Sequence, residues 1–118
     1  DLAGEMGDSF CHLTKLKDFF IDSNKINGTL QDCIGDVTNM KRLLLFDNNL
    51  SGSIPPSIGK MSNLTHLGLE GNNLSGVMED EICGIPTILE IWSDCAGTHP
   101  KVTCDETCCT HCCPSNVC

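Results

Sequence analysis

The residues of this chain best suited to chemistry are its cysteines, ten in 118 residues, most of them near the C-terminus. The segment CCTHCC surrounds His111 with four thiols, which raises the question of a zinc site. Vicinal cysteines converge poorly on one metal ion, and ten is an even number, so disulfides are the favoured interpretation. We therefore expect no metal and no cofactor, and disulfides at Cys11, Cys33, Cys83, Cys95, Cys104, Cys108, Cys109, Cys112, Cys113 and Cys118.

Other candidate catalytic groups are sparse. The sequence contains no Ser-His-Asp signature, glycine-rich phosphate loop or H-E-x-x-H motif. The adjacent acids Glu79, Asp80 and Glu81 are typical of a solvated charge run rather than an acid-base pair. His66 is interpreted as a surface histidine. The chain is therefore predicted not to be an enzyme, and no catalytic residue is assigned.

Composition restricts the partners and the compartment. The formal net charge is −9, which disfavours nucleic acid and anionic membrane surfaces. No apolar run approaches the roughly 20 residues that span a bilayer, so no integral membrane protein is expected. The cysteine density predicts an oxidising space: the secretory pathway, the cell exterior or the cell surface, with a plastid (thylakoid) lumen as the alternative. The N-terminus lacks signal-peptide features, which favours a mature or trimmed form.

A repeat of 24 residues organises most of the sequence. Copies that begin at Leu13, Val37 and Met61 share the pattern L-x-x-L-x-x-L-x-L-x-x-N-x-L-x-G-x-I-x-x-x-I-G. A fixed period in the twenties predicts a solenoid whose coils bury their apolar faces against one another. The predicted divisions are residues 1–12 as the back half of an earlier coil, then coils 13–36, 37–60 and 61–84, and finally 85–118 as a half-repeat with a cysteine-rich cap.

Within each coil the pattern assigns roles to equivalent positions. Apolar residues alternate with exposed ones, as in a strand with one buried face; Leu43 and Leu45 are the middle example. An asparagine follows each strand, where it would satisfy backbone groups of adjoining coils. A glycine occupies the next bend. The asparagines are Asn24, Asn48 and Asn72, and the glycines are Gly28, Gly52 and Gly76.

The run NNLSGSIPPSIGKMSNLTHLGLEGNNLSG resembles the plant-type leucine-rich repeat. This resemblance implies an α/β-type right-handed superhelix with a short parallel sheet on its concave face and 3₁₀ or irregular segments on its convex side. The C-terminal sequence pattern, W-x-D-C followed by V-x-C and C-C-x-x-C-C, is similar to the C-terminal ends of leucine-rich repeat proteins on the surfaces of diatoms and other microalgae. The expected fold class is therefore a leucine-rich repeat solenoid with a disulfide-rich C-terminal cap.

Coil stacking predicts two disulfide pairs. Cys11 and Cys33 occupy nearly equivalent positions in successive coils, which lie about 4.8 Å apart, so we expect them to be bonded. The same geometry predicts a bond between Cys83 and Cys104. The remaining six cysteines allow 15 connectivities, among which the sequence does not choose.

One exposed column of the concave sheet is unusually apolar. Reading every 24 residues gives Phe20, Leu44, Gly68 and Trp92, with Gly68 expected to leave a notch. An apolar strip of this kind predicts a partner-binding surface, unless further coils or the cap cover it. Acids at the flanks favour a partner with an apolar ridge and basic edges. The predicted partner-binding residues are Phe20, Leu44, Phe46, Trp92, Arg42, His66, Glu70 and Asp22; Asp94 is placed on the same exposed flank.

Three functions follow from these observations. The first is a non-catalytic module that binds a protein, a peptide or a glycan through its concave face, as the C-terminal part of a secreted or surface leucine-rich repeat protein or of a longer repeat chain. The second is a structural subunit of a larger assembly, with its open first coil against a neighbour. Inhibition of a cell-wall hydrolase is supported only by family resemblance.

Four N-x-S/T sequons occur, of which Asn63 is the best glycan candidate; the others are Asn27, Asn49 and Asn73.

Overall fold

The computed structural model describes residues 3–7, 9–22, 24–98 and 100–114. Short strands alternate with single-turn helical segments along this part of the chain. The 3₁₀ segments are Ser9–His12, Asp32–Asp36 and Pro56–Lys60, and the helix α1 is Asp80–Cys83. The strands are β1 (Ala3–Glu5), β2 (Asp18–Phe20), β3 (Lys25–Thr29), β4 (Arg42–Leu44), β5 (Asn49–Ser53), β6 (His66–Gly68), β7 (Asn73–Val77), β8 (Glu90–Ser93), β9 (Val102–Thr103) and β10 (His111–Cys112).

The strands form two parallel sheets. The concave sheet has the order β10-β8-β6-β4-β2, and the second sheet has the order β1-β3-β5-β7-β9. In the concave sheet, residues 24 positions apart lie side by side: Phe19 pairs with Leu43, and Leu43 pairs with Leu67. Equal spacing in sequence therefore becomes adjacency in space, which confirms the solenoid predicted from the repeat.

The core is a stack of equivalent apolar side chains. Leu43 and Leu67, from successive strands of the concave sheet, are fully buried. The return segments contribute Ile58 and Ile82, which are also fully buried. These segments turn as 3₁₀ helices in the earlier coils and as α1 after β7; Pro55 precedes the turn at Pro56–Lys60 with an extended backbone. Each coil thus buries its apolar face only because its neighbours are present.

A ladder of asparagines satisfies the backbone where each coil leaves the concave sheet. The Asn48 side-chain amide donates to the carbonyl of Ile21 at 2.8 Å, and its Oδ1 accepts from the Ile26 N–H. Asn72 repeats the arrangement one coil later, donating to the Leu45 carbonyl at 2.9 Å and accepting from the Leu50 N–H at 3.0 Å. The predicted role of these buried asparagines is confirmed, because each bonds backbone groups of its own coil and of an adjoining one.

Two glycines on the convex side allow the return segments to pack closely. A Cβ atom at Gly35 would collide with the backbone carbonyl of Ser57 in the next coil. A Cβ at Gly59 would lie 2.6 Å from the carbonyl oxygen of Glu81. Neither glycine is among those with a left-handed backbone, so close approach rather than backbone freedom explains the residue type. By contrast, Gly28, Gly52 and Gly76 do have positive φ values, as the bend requires.

The disulfides confirm one predicted pair and correct the other. Cys11 is bonded to Cys33, with a Cα–Cα distance of 5.6 Å. The predicted bond between Cys83 and Cys104 is wrong: Cys83 is bonded to Cys108. The prediction continued the coil-to-coil geometry of Cys11 and Cys33 past β8, where the spacing between neighbouring coils changes. The two other described bonds are Cys104–Cys109 and Cys95–Cys112, and Cys113 is also in a disulfide, while Cys118 lies outside the described residues.

Within the described residues, no helix combines the length and the apolar character that crossing a membrane requires.

Candidate binding site on the concave face

The exposed surface of the concave sheet carries the aligned column expected from the repeat. Phe20 pairs with Leu44, Leu44 with Gly68, and Gly68 with Trp92. Phe20 is 49% exposed, although it is a large apolar side chain. Leu44 and Trp92 are half-buried, and Gly68 is buried between them. The column is therefore a continuous strip across the successive coils.

Gly68 forms the floor of a cavity of about 300 Å³. A Cβ atom at Gly68 would lie 3.1 Å from Leu44 Cδ2 and 3.6 Å from Phe46 Cδ1, so even an alanine would take up space there. This is the notch predicted from the sequence. The cavity is lined by Leu44, Phe46, His66, Gly68, Glu70, Glu90 and Trp92.

Trp92 forms one wall of the cavity and is held by two contacts. Its indole N–H donates to Glu90 Oε2 at 3.2 Å. The imidazole of His111 stacks on its ring, with centroids 3.7 Å apart and an interplanar angle of 6°. Because His111 belongs to β10, the cap extends the concave sheet and covers one face of Trp92. The cap therefore covers the strip at Trp92 and leaves Phe20, at the other end, exposed.

Sequence reasoning did not find β10 or the role of His111, because Trp92 and His111 are 19 residues apart and fall outside the 24-residue period. A weak signal exists in the dipeptide Thr-His. The Thr65 hydroxyl lies 2.8 Å from His66 Nδ1, and the Thr110 hydroxyl lies 2.9 Å from His111 Nδ1. The same local pairing recurs on two strands of the sheet.

Glu70 is the most perturbed acid of the cavity. Burial raises the pKa of its carboxyl group, and the nearby charges of Asp47 and Asp94 raise the pKa further. A hydrogen bond from its own backbone and the proximity of His111 oppose the rise. Among the described residues, its Oε1 is buried and has no hydrogen-bond partner. An ionised carboxylate in this position is therefore inadequately stabilised by the protein itself.

Three of the predicted partner-binding residues lie outside the cavity. Arg42 donates to Asp18 Oδ1 at 2.9 Å and lies over the ring of Phe20, with its Cζ 4.8 Å from the ring centroid. This hydrogen bond and the positive charge of Arg42 lower the pKa of Asp18. Phe20 and Asp22 remain exposed beside this pair. The structure thus divides the predicted surface into the cavity and an outer patch at β2.

Asp94 does not belong to the exposed flank where the sequence placed it. It is buried, and its carboxylate accepts from the backbone N–H of Gly71 at 3.1 Å and of Asn72 at 3.3 Å. Its side chain therefore takes part in the backbone-satisfying network of the asparagine ladder. The residue follows β8, where the repeat pattern is already decaying, so its column position was a poor guide.

The described residues contain one cluster of potential metal ligands, formed by Cys104, Cys108 and Cys109. All three are in disulfides, so their sulfur atoms are not thiolates.

The sequons at Asn27 and Asn63 are exposed. Glu79, Asp80 and Glu81 lie at α1 on the convex side, away from the candidate site.

Coils with a parallel concave sheet, an asparagine ladder and 3₁₀ return segments define a leucine-rich repeat solenoid. Residues 39–61 and 63–85 each match the family model described as Leucine Rich Repeat. The chain contains leucine-rich repeats, shares its fold with plant receptor ectodomains, and carries a disulfide-rich cap. The similarity of the cap to microalgal proteins stays a prediction. Comparison with curated proteins found no significant match.

Solved structures of plant proteins share this fold. The ectodomain of the receptor kinase GASSHO1/SCHENGEN3 from Arabidopsis thaliana, in complex with CASPARIAN STRIP INTEGRITY FACTOR 2, is 30% identical, with a TM-score of 0.71; the match covers 77% of this chain and 11% of that one. The plant peptide hormone receptor RGFR1 in complex with RGF2 is 20% identical, with a TM-score of 0.74, over 89% and 16% of the two chains. A plant ice-binding protein is 23% identical, with a TM-score of 0.68, over 77% and 32%. The matched region is therefore a small part of the receptor ectodomains.

Proposed function

We propose that this protein is a non-catalytic binding module that holds an extended peptide or protein segment along its concave face. The observation that carries the proposal is the aligned strip of Phe20, Leu44 and Trp92 beside an unfilled cavity. Large apolar side chains on the solvent side of a strand are not needed for coil stacking, and aromatic anchors next to pockets are typical of interfaces. Of the two receptor structures named above, one is a plant peptide hormone receptor in complex with RGF2 and the other is in complex with CASPARIAN STRIP INTEGRITY FACTOR 2, which supports a peptide or protein ligand here.

The compartment proposed for this activity is the cell exterior or cell surface. The disulfides of the described residues would persist in an oxidising space. A plastid lumen has no further support.

Asn63 and Asn27 are accessible to glycosylation. Treatment of the protein purified from its source with a glycosidase should reduce its mass, and Asn63→Gln should remove most of that change. An unchanged mass would contradict glycosylation.

Selection of ligands from a random library of 12-residue peptides tests the proposal. Peptides that bind the wild-type protein should lose more than about 1 kcal/mol of binding free energy with Phe20→Ala or Trp92→Ala, because each substitution removes an aromatic anchor. Val77→Ala is the matched control, since Val77 is an equally exposed apolar residue of the second sheet. Equal affinities for the wild type and both aromatic variants would refute binding by this face.

A second candidate function, a subunit of a larger assembly, is favoured by a different feature. An apolar cavity of about 390 Å³ opens at the first coil, where Leu13 is 47% exposed and Phe19, Ile21 and Leu45 contribute to the lining. An exposed apolar cavity of this kind favours contact with a second protein surface. Light scattering on the protein purified from its source would show a stable complex if this function is correct, and a free monomer if it is not.

A further inference from the structure

The charged groups that line the cavity floored by Gly68 are mainly carboxylates. Two carboxylates, Glu70 and Glu90, line it together with the apolar side chains of Leu44, Phe46 and Trp92, and no lysine or arginine is among the lining residues. The single arginine of the sequence, Arg42, is engaged with Asp18 outside the cavity. The cavity therefore combines apolar walls with two carboxylates, and the basic side chains beside them are the imidazoles of His66, in the lining, and of His111, stacked on Trp92.

The two carboxylates differ in how well they are satisfied. Glu90 accepts a hydrogen bond from the Trp92 indole, which fixes it at the edge of the aromatic wall. Glu70 has fewer hydrogen bonds than its carboxylate can accept, because its buried Oε1 has no partner among the described residues. Burying a carboxylate without a donor costs free energy, and a bound donor recovers part of that cost. Glu70 thus brings an incompletely hydrogen-bonded carboxylate to the lining of the cavity.

The aromatic walls restrict the kind of donor that would fit. Stacking of His111 on one face of Trp92 leaves the rest of the indole to line the cavity, with Phe46 as a second aromatic wall. A flat cation can pack against aromatic rings while it donates to carboxylates, which a compact ammonium group does less well. A guanidinium group can also bridge two acceptors through its fork of N–H donors.

We propose that the cavity floored by Gly68 is a recognition pocket for an arginine side chain of the bound peptide. The aliphatic stem of the arginine packs against Leu44 and Phe46, and its guanidinium group lies at the Trp92 wall and donates to Glu70 and Glu90. This inference rests on the proposed peptide-binding function and specifies one residue of the ligand. A purely apolar side chain could fill the cavity, but it would leave the Glu70 carboxylate without a donor.

A small probe tests the pocket without knowledge of the partner. Trp92 is the single tryptophan of the chain, so its indole N–H gives one resonance from the pocket wall in a ¹H–¹⁵N spectrum. N-acetyl-arginine methylamide should shift this resonance saturably. The citrulline derivative has nearly the same shape without the charge, and it should bind at least about tenfold more weakly, a difference of about 1.4 kcal/mol.

Variants separate the pocket from general electrostatic attraction. Glu70→Gln should abolish the preference for arginine over citrulline, whereas Glu81→Gln removes an equal charge from the convex side and should preserve it. Gly68→Ala should weaken both probes, because the added methyl group occupies the floor. Equal shifts with arginine and citrulline, or an undiminished preference in Glu70→Gln, would overturn the proposal.

The inference and the proposed function can fail separately. Peptides selected from the library that need Phe20 and Trp92, but contain no basic residue and bind Glu70→Gln normally, would uphold the binding module and refute the arginine pocket. If no library peptide depends on the concave face while the arginine probe still shows its Glu70-dependent preference, the pocket stands and peptide binding by the strip falls.

Discussion

The repeat coils and the C-terminal cap achieve stability by different means. In the coils, residues 24 positions apart pair in parallel strands over a continuous apolar core, and buried asparagines satisfy the backbone at each turn. In the cap, the 24-residue spacing is lost after β8, buried apolar residues are few, and the bonds Cys83–Cys108, Cys95–Cys112 and Cys104–Cys109 hold the chain. Yet the cap still contributes a strand to the concave sheet. The concave surface is therefore built from two kinds of structure: repeat coils that are stabilised by stacking, and a cap that is stabilised by disulfides.

The largest effect is expected from the core of the coils. Leu67, in β6, is fully buried, so Leu67→Ala should lower the free energy of unfolding by about 3–5 kcal/mol through lost burial and a residual cavity. Urea denaturation measures the change. Leu89→Ala is the control, because Leu89 is 66% exposed and should matter little. Similar losses in both variants would contradict the assignment of stability to the buried stack.

The cap should respond to loss of its covalent bonds. Replacement of both Cys95 and Cys112 by serine should destabilise the protein by about 3 kcal/mol, as expected for a loop of this size. Because Cys112 belongs to β10, the stacking of His111 on Trp92 should loosen as well, and the fluorescence of the single tryptophan should change before global unfolding. Unaltered fluorescence and stability would show that β10 is held by the sheet alone.

The asparagine ladder should show a strong dependence on position. Asn72→Ala removes bonds to three carbonyls and leaves the Leu50 N–H without its side-chain acceptor, so we expect a loss of about 1–3 kcal/mol. The neighbouring Asn73 is exposed, and Asn73→Ala is a control one residue away that should have almost no effect. Comparable results for the two asparagines would count against the ladder.

The smallest effect should appear at Glu70, with a sign opposite to the others. Its raised pKa means that the folded state binds a proton more tightly than the unfolded state, so this stabilisation is present in acid and is lost as the pH rises through the folded pKa. Glu70→Gln should therefore raise the thermal midpoint at neutral pH and have little effect at acidic pH. Thermal melts over this range, with Glu81→Gln as control, would test the prediction; a lower midpoint at neutral pH would oppose it.

The coils could be predicted because the repeat itself states which residues are neighbours. Once Leu43 and Leu67 are known to be equivalent, their adjacency, the asparagine ladder and the Cys11–Cys33 bond all follow from stacking. The notch at Gly68 follows in the same way. The binding role of these residues stays a prediction, since a column of exposed side chains indicates a surface and not its ligand.

The cap could not be predicted because its contacts are not periodic. Cys83 bonds Cys108 rather than Cys104, a difference of four residues that sequence spacing alone does not resolve. The burial of Asp94 and the stacking of His111 on Trp92 depend on how the chain turns after β8. Disulfide geometry and local loop conformation decide these contacts, and neither is encoded in a simple pattern.

The glycines at positions 35 and 59 allow the coils to lie close together on the convex side. A side chain at either position would meet backbone of the next coil and force the return segments apart. Closer coils on the convex side mean a less strongly curved solenoid and a shallower inner surface. An extended ligand would then cross several coils and remain exposed to solvent on its outer side, where a third molecule could bind it.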